Sequence, residues 1–364
     1  MKIAHLTPTF DAYSGIDRVV CHLAAGQAAR GDQVTIFALA GGMAPPPGVT
    51  LEVMGMPRQL TLQRIYRLLL PLDIGKTCRW LPRLKDFDVI YCHFYPMTWF
   101  GYRASKRYGV RYIYYDYGIA SSGTFSNIVE NIYMRLLAWL TARTAKAADG
   151  AISISRYLQE QLNRETGLTS QVVYPEIDFQ RFHPGLDGSP VRERHHLAGG
   201  KLIVYTGRIS PHKGAHLLIA AFRVVHQAVP DATLLIIGQP TFPAYSRRLK
   251  QMADSAVIFD GYVPDDALPA YYAAADVYAT ATLWEGFNLP LVEAQACGTP
   301  VVAFRLGPHP EVVADGETGY LVPPEDTGAL AEAIIRLLKD DKLRQEMGQR
   351  AARMVTGRFA GPSP

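Results

Sequence analysis

Cysteine is scarce, with four residues in 364 (Cys21, Cys78, Cys92 and Cys297) and none in a C-x-x-C pair. That scatter excludes a disulfide scaffold or zinc ribbon and reads as reduced thiols in a reducing compartment. No stretch of 18 apolar residues exists, so no helix is expected to span a membrane. No secretory leader is expected either, because Met1-Lys2 runs directly into the strand-like IAHLTPTF. The reading is therefore a cytoplasmic chain. There is no short-period repeat and no low-complexity tract. Charged residues make up 19%, with 37 Lys plus Arg against 33 Asp plus Glu, net +4. That is too mild to imply nucleic acid as a partner.

What is present is material for buried cores. Apolar residues are 48% of the chain, and at roughly 150 residues per domain the length predicts two domains. The charge is uneven. Residues 1–180 hold 19 basic and 14 acidic side chains, net +5, and residues 181–364 hold 18 and 19, net −1. Within 56–112, 11 basic residues face only Asp73, Asp86 and Asp88, net +8.

Apolar runs of strand length alternate with helical stretches along the chain. KIAHLTP, QVTIFAL, DVIYCHF (88–94), VRYIYYDYG (110–118), GAISIS (150–155) and QVVYPEI (171–177) read as strands. Helical stretches are expected at VVCHLAAGQAARG and near 61–84, 96–108 and 127–147. Residues 181–200, with Pro184, Pro190 and four glycines, read as a linker. The alternation then restarts with strands at 201–207, 232–238, 257–263, 276–282 and 300–306. Continuous apolar strands alternating with helices mean parallel sheets covered on both faces. The expectation is an α/β chain of two doubly wound, Rossmann-like domains, 1–180 and 201–364, with ligands at the carboxyl ends of the strands, in a shared crevice.

Two segments of the second half carry chemistry. In DVYATATLWEGFNLPLVEAQACGTPVVA (276–303) a strand ends near Thr282, a glycine turn follows, and a helix begins near Asn288. Backbone N–H groups at such a helix start favour an anion. Glu285 and Glu293 lie eight positions apart (285 to 293), which is about 12 Å of helix. A glycosidase carboxylate pair sits roughly 5–9.5 Å apart, so the two suit separate contacts on a long ligand better than a hydrolytic couple. In GRISPHKG (207–214), Arg208 and Lys213 are two cations at a strand's carboxyl end; Arg grips phosphate bidentately and Lys adds a point charge. Taken singly, each of these residues is equally an ordinary loop or helix-surface side chain.

Together these segments resemble the retaining glycosyltransferases of family 4, which have the GT-B fold of two Rossmann-like domains facing across a cleft. The resemblance rests on Gly207-Arg208, Lys213-Gly214, Glu285-Gly286-Phe287, Glu293-Ala294 and Cys297-Gly298-Thr299-Pro300, and covers essentially 1–357. It implies that Arg208 and Lys213 neutralise the diphosphate of a UDP-sugar or GDP-sugar donor. It implies that the amides at Phe287, Asn288 and Leu289 take phosphate or sugar oxygens, that Glu285 holds the donor sugar, and that Glu293 holds the ribose. No metal or other cofactor is implied. Family members more often carry Gly where Asn288 stands, and Gly307-Pro308-His309-Pro310-Glu311 departs by one proline from a G-G-x-P-E pattern.

The first half resembles the family more weakly. Gly15, in Ser14-Gly15-Ile16, would let backbone approach the donor. His93 falls where the family often has His. Tyr117, in Tyr115-Asp116-Tyr117-Gly118, stands where many relatives have His beside the transferred sugar, so that role would fall to Tyr117, Asp116 or His93. The resemblance also implies an acceptor on this half, a glycan or lipid-linked hydroxyl compound. The basic, Leu- and Trp-bearing stretch within 56–112 suits an anionic membrane surface and equally an ordinary amphipathic helix. Asp86-Phe87-Asp88 matches a D-x-D metal motif superficially and reads as structural. The chain stops at GRFAGPSP, so the aromatic-rich helix with which relatives often cross back to the first domain is expected to be absent or shortened. A non-catalytic nucleotide-sugar-binding subunit, or a sugar-nucleotide epimerase of the same fold, are the alternative readings.

Overall fold

The computed structural model describes residues 1–11, 15–118, 128–197 and 199–360. The chain divides into two compact units, Met1–Pro175 and Glu176–Pro364. In the first, strands β1 (Lys2–Phe10), β2 (Gln33–Gly41), β3 (Val49–Val53), β4 (Val89–Cys92), β5 (Arg111–Asp116), β6 (Gly150–Ser153) and β7 (Gln171–Val172) form one sheet in the order β3-β2-β1-β4-β5-β6-β7. In the second, β8 (Lys201–Thr206), β9 (Ala232–Ile237), β10 (Val257–Gly261), β11 (Val277–Thr280), β12 (Val301–Phe304) and β13 (Gly319–Val322) take the order β10-β9-β8-β11-β12-β13. Neighbouring strands pair in parallel in both sheets. The central strands are buried nearly end to end, as sheets covered on both faces require.

The strand orders reverse between β1 and β4 and between β8 and β11. At such a point successive crossovers leave in opposite directions, opening a crevice outside the carboxyl ends of the strands. Each unit therefore has one sheet edge where a ligand is expected, and the loops that follow these four strands build it.

Three stretches differ from the expectation. The helical region 61–84 is broken into a helix Leu60–Leu69, a turn at Leu70–Leu72, a helix Ile74–Trp80 and a 3₁₀ segment Leu81–Asp86. Pro71 and Pro82 cannot continue a helix, and Asp73 starts the second one by accepting from the Lys76 N–H at 2.9 Å. QVVYPEI pairs only through Gln171–Val172, because Pro175 has no N–H to give a ladder. Residues 181–200 belong to the second unit. Arg181 reaches the Asp265 carbonyl at 2.7 Å. Arg192 binds the Ala274 and Gly200 carbonyls and the Asp276 carboxylate at 2.8–2.9 Å. These contacts fix a helix, Ser189–Arg194, onto that unit.

Candidate functional site

In the second unit the site begins with backbone contacts that only glycine allows. Gly214 has a φ of 68°, and a Cβ there would run into the Ala281 carbonyl oxygen. Without one, the loop after β8 lies directly on the loop after β11. The His212 carbonyl then accepts from the Leu283 N–H at 2.8 Å and from the Thr282 hydroxyl at 3.2 Å. Gly238, after the neighbouring strand β9, allows a similar approach, since a Cβ there would overlap the Gly207 carbonyl.

This stitching brings Lys213 to Glu285, 72 positions away in sequence, as a direct ion pair between the ammonium and Oε1. Their side chains are 17% and 14% exposed, enough shelter to strengthen the pair relative to a surface one. Arg208 is exposed beside them. Its charge and that of Lys213 add to burial in driving the His212 imidazole down to about 3, so His212 is neutral and the site's cations are Lys213 and Arg208.

The turn that follows aims a helix start at the same place. Gly286 and Phe287 lead to Asn288, whose φ of 74° is left-handed; Asn tolerates this better than most residues. The helix Leu289–Ala296 begins next, with Pro290 in its first turn. The Asn288 side chain donates to His309 Nε2 at 3.0 Å, while His309 Nδ1 donates to the Phe304 carbonyl at 2.6 Å. Phe287 is buried edge-on against Phe359, with ring centroids 5.5 Å apart. Residues 287–289, whose amides are expected to meet an anion, thus sit on a braced turn.

Glu293, on that helix, is 1% exposed. Its Oε2 accepts from the Tyr272 hydroxyl at 2.8 Å, and Tyr272 lies 2.9 Å from the Thr206 hydroxyl at the end of β8. Tyr272, Thr206, His309 and Phe359 escaped the sequence reading. Only His309 had a local signal, its place in the altered G-G-x-P-E pattern.

In the first unit, Gly15 opens the helix Gly15–Ala29 after β1; Ser14 lies outside the described residues. Asp17, in that helix's first turn, is buried and accepts from the Thr9 hydroxyl at 3.0 Å and the Asp11 N–H at 2.9 Å. Burial pushes its carboxyl up to about 7. His93 follows β4 and Tyr117 follows β5, and Tyr117 OH lies 2.9 Å from His93 Nδ1. The structure therefore brings His93 and Tyr117 together. Asp116 points to the opposite sheet face, as alternation along a strand requires. There it accepts from Tyr114 OH and the Gly118 N–H at 3.0 Å and from Ser153 Oγ at 3.3 Å. Burial raises its carboxyl to about 6.

The description "Glycosyl transferases group 1" matches residues 191–354, and "Glycosyltransferase Family 4" matches 13–181. A D-inositol 3-phosphate glycosyltransferase of Acidothermus cellulolyticus is 30% identical over 364 residues, 92% of this chain and 80% of that protein. The chain belongs to glycosyltransferase family 4. A GDP-mannose-dependent α-(1-6)-phosphatidylinositol monomannoside mannosyltransferase of Mycolicibacterium smegmatis is 34% identical over 221 residues, 57% of each chain. A D-inositol 3-phosphate glycosyltransferase of Corynebacterium glutamicum is 37% identical over 191 residues, 46% of that protein. In these two alignments the match spans about half of each relative. Anabaena HepE, solved with UDP and glucose, superposes with a TM-score of 0.83 at 24% identity, covering 99% of this chain and 95% of that one. The lipopolysaccharide glycosyltransferase WaaG gives 0.77 at 16% identity, covering 98% and 96%. The fold is GT-B.

Two further features of this family 4 chain bear on partners. Asp88 of the D-x-D match sits at the amino end of β4 and accepts from the Lys2 N–H at 2.7 Å, on the sheet edge opposite the site. Among the described residues, no group of three or more His, Cys, Asp or Glu is arranged to hold a metal, and no helix is long and apolar enough to cross a membrane. The basic stretch is partly tied down. Lys76 donates to the Met54 carbonyl at 2.8 Å, and Arg83 pairs with Glu52 at 3.0 Å. Leu62, Ile65, Leu69, Leu72 and Ile74 are nevertheless exposed. Arg64 lies 5.7 Å from the Tyr133 ring, joining this stretch to the helix Ile128–Ala145. That helix exposes Ile128, Val129, Ile132, Leu136 and Trp139.

Proposed function

We propose that this chain is a metal-independent, retaining glycosyltransferase. It takes a sugar from a nucleotide-diphosphate sugar and passes it to a hydroxyl of a lipid-linked acceptor or an envelope or polysaccharide precursor. The observation that carries this reading is the meeting of Lys213, Glu285 and the braced Phe287–Leu289 amides at one switch point, with Arg208 beside them. Negative charge grows on the diphosphate as the glycosidic bond breaks. Fixed cations and amides aimed at that charge stabilise it without reorganising. In the free chain Lys213 is held by Glu285; a diphosphate competes for the ammonium and frees the Glu285 carboxylate for sugar hydroxyls. Glu293, with Tyr272, takes the nucleotide's ribose. The departing diphosphate accepts the acceptor's proton, and no side chain is assigned as a general base. Arg208 and Lys213 supply the positive charge that a metal ion supplies elsewhere.

The acceptor belongs to the first unit, on the His93–Tyr117 edge. The relatives named for phosphatidylinositol monomannoside and D-inositol 3-phosphate support a hydroxyl-rich acceptor, and the GDP-mannose in the name of the first supports a nucleotide-sugar donor. The exposed apolar and basic helices of this unit support a seat on the anionic cytoplasmic face of a membrane. Nucleotide release from a panel of UDP- and GDP-sugars, with and without chelator, tests the donor chemistry. Turnover is expected to persist in chelator; loss that manganese or magnesium restores would overturn metal independence.

A further inference from the structure

Two buried polar residues of the first unit, Gln27 and His5, have no role in the chemistry derived so far. His5 lies in the middle of β1, at the switch-point pair with β4, and is completely buried between Ala4 and Leu6. Both of its ring nitrogens are engaged. Nε2 lies 2.6 Å from Gln27 Oε1, and Nδ1 lies 2.8 Å from His93 Nε2. His93 Nδ1 in turn lies 2.9 Å from Tyr117 OH. The four side chains form one buried hydrogen-bonded line that ends at the sheet's carboxyl edge.

The direction of the line follows from its inner end. The Gln27 carbonyl oxygen only accepts, so the His5 proton is on Nε2. Burial drives the His5 imidazole down to about 4 and holds His93 well below its ordinary range, so both rings are neutral, with one donor and one acceptor nitrogen each. His5 Nδ1 therefore accepts from His93 Nε2–H, and His93 Nδ1 accepts from the Tyr117 hydroxyl. Ring stacking holds the planes. His5 lies between Tyr91 and His93 at centroid distances of 5.2 and 5.0 Å, and Tyr117 stacks on Tyr115 at 5.2 Å. Tyr117 has then spent its only proton inward, and its oxygen offers lone pairs alone.

We infer that Gln27 and His5 are positioning residues that act through His93 to make Tyr117 an obligate hydrogen-bond acceptor, so that the first unit selects a sugar hydroxyl that donates to Tyr117. This rests on the reading of Tyr117 as a sugar-side residue. Ligands lacking that hydroxyl, or carrying it as a methyl ether, leave the phenol oxygen unpaired and bind worse.

Long-range ¹⁵N–¹H spectra of the labelled full chain test the direction without any substitution. The expected result is the Nε2–H tautomer for both His5 and His93. A proton on His93 Nδ1 would overturn the inference, because Tyr117 would then donate outward. In Gln27→Met, which keeps the length and removes the acceptor, both histidines should show mixed tautomers. KM for the sugar substrate should rise about tenfold, with kcat within about twofold. Tyr117→Phe should do the same, and the double variant should be no worse than either. Additive losses, or an unchanged KM in Gln27→Met, would contradict the coupling. Lack of turnover in the wild type would sink the transferase reading, and the spectra would still decide the tautomers.

Discussion

Asp17 and the two buried histidines of the first unit are held off their ordinary ranges in opposite senses, and the consequences for stability can be worked out. Asp17 is raised by burial to about 7. The folded state therefore binds its proton more tightly than the unfolded chain does. This contribution favours folding below about pH 4 and is lost as the pH climbs to about 7. His5 is lowered to about 4, and His93 is lowered too, so their contribution is present above about pH 6.5 and is lost as the pH falls. Between pH 4 and 6.5 the two effects oppose each other. Asp17→Asn removes one side. Its melting temperature, followed from pH 7.5 to 4.5, should fall more steeply on acidification than that of the wild type. Parallel curves would contradict the assignment. None of this was legible from the sequence, where His5 is one of several polar residues in a strand-like run and Asp17 an ordinary acidic residue in a first helical turn.

At the scale of elements, the strand–loop–helix units bearing Arg208, Lys213, Glu285 and Glu293 were readable, because glycine turns between apolar strands and helices mark them locally. What holds those units together was not readable. The Gly214–Ala281 contact and the His212 carbonyl stitches depend on two loops about 70 residues apart meeting at a switch point. The four-residue strand β13 and the five-residue β3 escaped because such short pairings leave almost no periodicity. No helix was read at 341–359, yet the helix Asp341–Phe359 props the turn at Phe287 through its last residue. Phe359→Ala should cost about 3–5 kcal/mol of second-unit stability by leaving a cavity, measured by urea unfolding. It should also weaken nucleotide binding, measured by calorimetry. Normal nucleotide affinity with the full stability loss would separate Phe359 from the turn.

For the whole molecule, length and alternation gave two doubly wound units, and the boundary fell at Pro175–Glu176 because arginine contacts draw residues 181–200 into the second. The net +4 hides the more telling distribution. The excess lies on the first unit, where exposed Leu62, Ile65, Ile132 and Trp139 accompany the arginines. The sequence displayed the basic half of this surface; the apolar face of Ile128–Ala145 became visible only once Arg64 and Tyr133 were seen to meet. Binding to vesicles rich in phosphatidylglycerol should exceed binding to neutral ones and weaken with salt. Arg64→Glu combined with Trp139→Ser should abolish the preference in a sedimentation assay. Unchanged partitioning would refute the membrane assignment.

The central claim is that two cations and a carboxylate at the β8–β11 switch point carry sugar transfer. It is tested most directly by nucleotide release from UDP-glucose or GDP-mannose in the wild type, Arg208→Ala, Lys213→Ala and Glu285→Ala. Folding of each variant is checked by its melting temperature. Each substitution should lower turnover by about 10²–10³-fold with the fold retained. Near-wild-type turnover in all three would contradict the claim.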